Sequence, residues 1–207
     1  MLRVKICGLT TPQDAIAAIE CGADALGFNF FPGSKRYVGQ ETEWIQNLPG
    51  NVDRMAVLVN PTWPEAKTTA AAPGIGALQL HGSESPEFCR RLKKAGIRFE
   101  KALPVSGVDS LVDVPDFSTR TILLDSSTAG EFGGSGRTFP WEIARRFMEN
   151  NPHLQVVLAG GLTPENVAEA VNAIRPFGVD VTTGVESTPG RKDYGRLRAF
   201  IAAARAA

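Results

Sequence analysis

Lys5 and Cys7 stand two residues apart in the run Leu2–Cys7, alternating with Val4 and Ile6. In an extended strand a period of two puts Lys5 and Cys7 on one face and the β-branched pair on the other. A thiol acts as a base only as its thiolate, and a neighbouring ammonium such as Lys5 lowers its pKa. A lone cysteine can equally be an inert, buried, small hydrophobe. Asp125 closes the apolar run Thr119–Asp125 and shares a face with Leu123. A carboxyl group there can transfer a proton or simply cap a turn. Gln79 and His81 alternate with Leu78 and Leu80, and His81 is one of two histidines; the other, His153, follows Asn150-Asn151-Pro152 in a turn. Arg36 lies in the loop Pro32–Tyr37. Its planar guanidinium suits a carboxylate held by two parallel hydrogen bonds, or it belongs to a solvated basic loop.

A second group of signals concerns anions. Gly133-Gly134-Ser135-Gly136, Ala159-Gly160-Gly161-Leu162 and Thr182-Thr183-Gly184-Val185-Glu186 each follow an apolar run. Glycine lets backbone N–H groups approach an anion closely, although a single Gly-Gly pair is most often just a turn.

The elements that must position these residues are legible as a repeat. Strands are expected at Leu2–Cys7, Asp24–Phe30, Arg54–Val59, Ala77–His81, Arg98–Leu103, Thr119–Asp125, Gln155–Ala159 and Val179–Thr183. Helices are expected near Pro12–Cys21, Thr42–Leu48, Pro64–Ala72, Pro86–Ala95, Ser106–Val112, Trp141–Asn150, Pro164–Ala173 and Asp193–Ala204. Thr11-Pro12, Ser85-Pro86 and Thr163-Pro164 read as N-caps with proline in the first turn. The alternation predicts parallel βαβ units. Eight units in 207 residues average about 26 each, compact but sufficient for an α/β fold of the (β/α)8 TIM-barrel type over residues 1–207. The turn after the first strand, Cys7-Gly8-Leu9-Thr10, lacks the Gly-x-Gly-x-x-Gly expected of a dinucleotide fold. In a barrel the reactive residues belong at the C-terminal strand ends, and glycine-rich turns after strands 7 and 8 match a common phosphate site.

Composition narrows the classes. The 22 Lys+Arg balance 22 Asp+Glu, which argues against nucleic-acid and polybasic membrane partners. With 43% hydrophobic residues the chain can bury a core, and its 21 Gly and 14 Pro are spread out as turns. The three cysteines, Cys7, Cys21 and Cys89, have no metal-ligand spacing and fit a reducing compartment. No apolar run is long enough for a membrane helix, and the N-terminal residues lack a signal-peptide layout, so a cytoplasmic protein is expected.

The segments Lys5–Thr10, Gly27–Val38, Leu78–Gly82, Leu123–Asp125, Gly133–Trp141, Leu158–Val167, Val179–Ser187 and Pro189–Asp193 together closely resemble the phosphoribosylanthranilate isomerase family, in order along most of the chain. Thr182-Thr183 stand where the family commonly has two serines, Arg137 where it has lysine, and Pro140 where an aspartate often precedes the tryptophan. The resemblance implies an Amadori rearrangement of N-(5-phosphoribosyl)anthranilate to 1-(2-carboxyphenylamino)-1-deoxyribulose 5-phosphate in tryptophan biosynthesis. It implies Asp125 as general acid, initially protonated, and Cys7 as general base, at least partly thiolate. It also implies Arg36 on the anthranilate carboxylate, with the aromatic ring among the phenylalanines of that loop. The phosphate is expected in a backbone nest around Gly134, Gly136, Gly160, Gly161, Gly184 and Val185, and Gln79 and His81 are candidates for the sugar hydroxyls. The reaction changes no oxidation state and adds no water, so neither cofactor nor metal is expected. The partner is a small-molecule phosphosugar, and the chain is expected to be a monomer or homodimer. Another phosphosugar enzyme on the same barrel, or a non-catalytic phosphate-ligand barrel, are the rival readings.

Overall fold

The computed structural model describes residues 1–112, 114–126 and 140–207. Eight parallel strands close into a barrel in sequence order: β1 (Arg3–Ile6), β2 (Ala25–Asn29), β3 (Asp53–Leu58), β4 (Ala77–Leu80), β5 (Phe99–Pro104), β6 (Thr121–Asp125), β7 (Gln155–Leu158) and β8 (Gly178–Val181). Each lies within a residue or two of its expected place. Outside them run α1 (Pro12–Glu20), α2 (Trp63–Ala70), α3 (Pro86–Lys94), α4 (Trp141–Asn150), α5 (Val167–Ile174) and α6 (Tyr194–Ala206). Two expected helices are single 3-10 segments, Glu43–Asn47 after β2 and Val108–Leu111 after β5. Pro49-Gly50 stops the first, and Gly107 with Pro115 brackets the second, leaving too few residues to repay helix nucleation. After β8 a further 3-10 turn, Thr183–Val185, leads into a hairpin of β9 (Glu186–Thr188) and β10 (Arg191–Lys192) that the sequence pattern did not reveal.

Helix starts follow local chemistry. The Thr11 hydroxyl accepts from the Asp14 N–H, Ser85 accepts from Phe88, and Thr62 with Glu65 forms a reciprocal capping box. At Thr163-Pro164 the expected cap opens only a hydrogen-bonded turn, and α5 begins three residues later. The outward face of the strands packs on the helices: Val4, Ile6, Leu26, Phe28, Leu78, Leu80, Leu124 and Val179 share one buried cluster with Ile143, Phe147, Leu197 and Phe200. Each such side chain contributes about 1.5–3 kcal/mol of burial. Inside the barrel the apolar filling is a small patch of Ala102, Leu123, Val157 and Ala159. Met55, Val57 and Gln79 also point inward, and beside them the interior carries buried charges.

Two ion-pair groups occupy it. At the N-terminal end of the strands, Arg3 donates from Nη1 to Glu100 Oε1 at 2.6 Å and from Nη2 to Asp53 Oδ2 at 3.1 Å, tying β1 to β5 and β3 across the barrel floor. One layer higher, Lys5 Nζ donates to Asp180 Oδ1 at 2.9 Å. These two residues are register partners on β1 and β8, the strands whose pairing closes the barrel. Arg3→Met would leave Glu100 buried without its cation, a change expected to cost about 3 kcal/mol. The urea midpoint of the purified variant measures it, and an unchanged midpoint would refute this account of the floor.

Candidate active site

A cavity of about 300 Å³ opens at the C-terminal end of the barrel. Cys7 lines it just beyond β1, and Asp125 lines it as the last residue of β6. The two strands stand three steps apart around the closed sheet, so thiol and carboxyl enter from different sides. Arg36 and Ser34 line it from the loop after β2, and Gly160, Gly161, Thr163 and Gly184 from the loops after β7 and β8. The alternation read from sequence therefore delivers Cys7, Asp125, His81 and Arg36 to one space.

Gln79 and His81 have partners within the protein. Gln79 is fully buried and does not line the cavity. Its amide nitrogen lies 2.9 Å from His81 Nδ1, while His81 Nε2 lies 3.1 Å from Asp125 Oδ2. Both ring nitrogens of His81 are thus engaged within the protein. The three side chains form a brace, Gln79 to His81 to Asp125, and His81 also lines the cavity. Gln79 donates to Nδ1 and the Nε2–H of His81 donates to Asp125 Oδ2, and among the described residues Gln79 Oε1 is buried without a partner.

Among the glycines expected around an anion, Gly160, Gly161 and Gly184 line the cavity. Gly160 adopts φ +82°, and a Cβ there would lie 2.1 Å from Ser126 Oγ, so only glycine fits. Val185 is buried, and its side chain does not line the cavity; the expectation for it rests on its backbone N–H alone. Gly134 and Gly136 lie outside the described residues. Of the phenylalanines preceding Arg36, Phe28 is buried edge-on against Trp44, Phe30 packs on the outer core, and the Phe31 ring lies against Gly33 in the loop itself. Asn29 and Val57 line the cavity on that side.

Several residues escaped the sequence reading. Asp180 lines the cavity while pairing with Lys5. Arg196, at the start of α6, also lines it and donates from Nε to the Gly184 carbonyl at 2.8 Å, fixing the loop after β8. Lys192, its side chain fully buried, donates to the Cys7 carbonyl at 2.6 Å and the Thr182 carbonyl at 3.2 Å, and pairs with Glu186 at 3.3 Å. Both Glu186 and Lys192 fall in segments quoted above for their resemblance. Only the β9–β10 turn, formed by Thr188-Pro189-Gly190, turns them back toward the strand ends.

Burial dominates the electrostatics of Cys7 and holds its thiol above the usual cysteine range; Lys5 and Lys192 pull it down, and Asp180 pushes it up. The thiolate-favouring effect expected of Lys5 is present, and desolvation outweighs it. Burial also works against the Lys5 ammonium, yet Asp180 and then Cys7 hold it charged, above the ordinary lysine range. Burial raises the Glu186 carboxyl, but Arg36 and Lys192 outweigh it and keep it below the ordinary range.

Comparison with known proteins agrees with this geometry. The family model described as N-(5'phosphoribosyl)anthranilate (PRA) isomerase matches residues 4–203. The N-(5'-phosphoribosyl)anthranilate isomerase of Geobacter metallireducens is 45% identical over the full length of both chains. That of Trichlorobacter lovleyi is 43% identical over 97% of each. Among solved structures, the phosphoribosyl anthranilate isomerase of Thermotoga maritima superposes with a TM-score of 0.86 at 39% identity over all of both chains. A phosphoribosyl anthranilate isomerase in complex with reduced 1-(o-carboxyphenylamino)-1-deoxyribulose 5-phosphate gives 0.82 at 37%, again over both whole chains.

The charge arrangement around the thiol makes a pH prediction. Removing the Lys5 cation in Lys5→Met destabilises the thiolate and leaves Asp180 as an unopposed anion, and both effects raise the thiol pKa. The midpoint of Cys7 alkylation by iodoacetamide, followed by mass spectrometry of the Cys7 peptide, should move to higher pH by about one unit or more. A midpoint that stays put or falls would exclude Lys5 as the tuning charge.

Proposed function

The chain belongs to the N-(5'-phosphoribosyl)anthranilate isomerase family, and from that premise we propose that Cys7 and Asp125 carry its reaction as general base and general acid. The activity is the isomerisation of N-(5'-phosphoribosyl)anthranilate in tryptophan biosynthesis, an Amadori rearrangement. The observation that carries the mechanistic reading is the cavity itself. A thiol from the end of β1 and a carboxyl from β6 enter one space that a guanidinium and glycine backbone also line.

The chemistry needs two proton transfers on opposite sides of the sugar. Asp125, as the acid, gives its proton to the furanose ring oxygen. The C1–O bond breaks, and the nitrogen lone pair forms the protonated Schiff base. Cys7, as thiolate, then takes the proton from C2, and the C2–H electron pair moves to give the enolamine. Tautomerisation yields the 2-ketone, so the product keeps every atom of the substrate and no oxidant, reductant or cofactor enters. Arg36 receives the anthranilate carboxylate, and the backbone of Gly160, Gly161 and Gly184 receives the phosphate. Holding both ends fixes C2 and the ring oxygen between base and acid, which converts binding into positioning. The His81 imidazole, 3.1 Å from Asp125, orients the acid, and Gln79 orients the imidazole.

Burial works against the Cys7 thiolate that the second step requires. Lys5 and Lys192 supply the compensation when the thiolate forms. The proposed assembly is a monomer or a homodimer. Among the described residues no helix is long and apolar enough to cross a membrane. The proposed place of action is the cytoplasm, where the free thiol stays reduced.

Cys7→Ala and Asp125→Asn should each lower kcat by roughly 10²–10⁴-fold, the share of one acid–base group. The assay is the loss of phosphoribosylanthranilate fluorescence with folded, purified variants. Near-normal kcat in either removes that residue from the scheme. Arg36→Met should raise KM by about tenfold or more, the loss of one charge-assisted contact; unchanged kinetics would reject Arg36 as the carboxylate's partner.

A further inference from the structure

Arg36 is not an open fork. Its Nε donates to Glu186 Oε1 at 2.9 Å and Oε2 at 3.1 Å, and its Nη2 donates to Glu186 Oε2 at 2.7 Å and Thr183 Oγ1 at 3.1 Å. The bidentate edge that a substrate carboxylate could take is therefore filled by a carboxylate of the protein itself. Among the described residues, Nη1 donates to no partner. Glu186 has no freedom to let go. Its side chain is only 3% exposed, and Oε1 also accepts from the Gly190 N–H at 3.2 Å and from Lys192 Nζ at 3.3 Å. The stem of Arg36 is fixed as well, because it crosses Gly8 so closely that a Cβ there would lie 2.7 Å from Arg36 Cδ.

We propose that Glu186 is a positioning and specificity-determining residue, pinning Arg36 so that Nη1 alone is presented to the incoming carboxylate. Charge makes the arrangement work. Glu186 by itself would cancel Arg36 and repel a carboxylate, whereas Lys192 on its other side leaves the trio with one net positive charge. The substrate thus meets a single oriented cationic donor pair that neither swings into solvent nor folds back on the protein. Orientation of this kind discriminates by position, since a carboxylate elsewhere on the ring does not reach Nη1. The hydrogen bonds of Lys192 to the Cys7 and Thr182 carbonyls tie the same pin to the backbone of the base.

The proposal rests on the reading of Arg36 as the carboxylate's partner, and the test separates the two. Two inhibitors are compared: reduced 1-(o-carboxyphenylamino)-1-deoxyribulose 5-phosphate and the same compound without its carboxyl group. The readout is the ratio of their inhibition constants. Glu186→Gln should lower the preference for the carboxylated compound by about tenfold, and Arg36→Met by at least as much. In the double variant Glu186→Gln should add nothing further, because the residue acts only through Arg36. Glu186→Asp, which keeps the charge and shortens the reach, serves if the Gln variant does not fold, and should also lower the ratio. Equal weakening of both inhibitors, or an intact ratio in a folded Glu186 variant, overturns the pin. An intact ratio in Arg36→Met overturns the carboxylate assignment itself.

Discussion

The ion pair between Lys5 and Asp180 lies where the first strand of the barrel meets the last. Hydrogen bonding alone would allow β1 and β8 to pair in more than one register, and a slip of one residue turns every side chain to the other face. A buried ammonium and a buried carboxylate, adjacent on β1 and β8, permit only the alignment in which each satisfies the other. That alignment decides what stands at the strand ends. Two residues beyond Lys5 is Cys7, and two beyond Asp180 is Thr182, so one contact sets both the thiol and the loop carrying Gly184. The pair also shapes the chemistry, since Lys5 stabilises the thiolate that Asp180 opposes.

The interior follows one rule throughout: each buried cation has a buried or half-buried anion, and the excess charge is local. Arg3 is matched by Glu100 and Asp53, Lys5 by Asp180, and Lys101, which faces outward behind β5, by Glu84 at 3.0 Å. The exception is at the rim, where Arg36 and Lys192 share the single Glu186. On the proposed reading of Arg36, a chain with no net charge holds a substrate with two anionic groups because the imbalance is confined to the place proposed for the carboxylate. Removing charges from water is costly, and pairing them contributes more to geometry than to stability. That suits a barrel whose wall carries the apolar packing and whose bore carries the chemistry.

The strand plan was legible because period-two alternation and Gly/Pro punctuation are local signals. All eight strands, and the strand-end placement of Cys7, Asp125 and His81, follow from them. Residues 42–48 and 106–112 kept a helical look in sequence, but neighbouring proline and glycine left room only for a 3-10 turn. The brace of Gln79 and His81 on Asp125 was hidden for a different reason. Alternation says which face a side chain takes, and it does not say whether that chain ends in the cavity or beneath it. Asp180 shared its face with Thr182 and could have been found by the reasoning that found Lys5. Glu186 and Lys192 could not, because their meeting depends on the tight turn at Pro189-Gly190 and on tertiary contacts at the end of β1.

The Lys192 contact has a further consequence, in time. Its ammonium reaches the carbonyl of Cys7 across 185 positions of sequence, and Lys5 reaches Asp180 across 175. Contacts of such separation form late, because closing so long a loop costs chain entropy before any bond repays it. During synthesis Cys7 and Lys5 emerge early, and Asp180 and Lys192 emerge late. Assembly of the catalytic end and sealing of the cylinder are thus one event in the history of each molecule. A partly folded chain holds Cys7 without its distant partners, and the buried, charge-flanked setting of the thiol comes into being only with the whole.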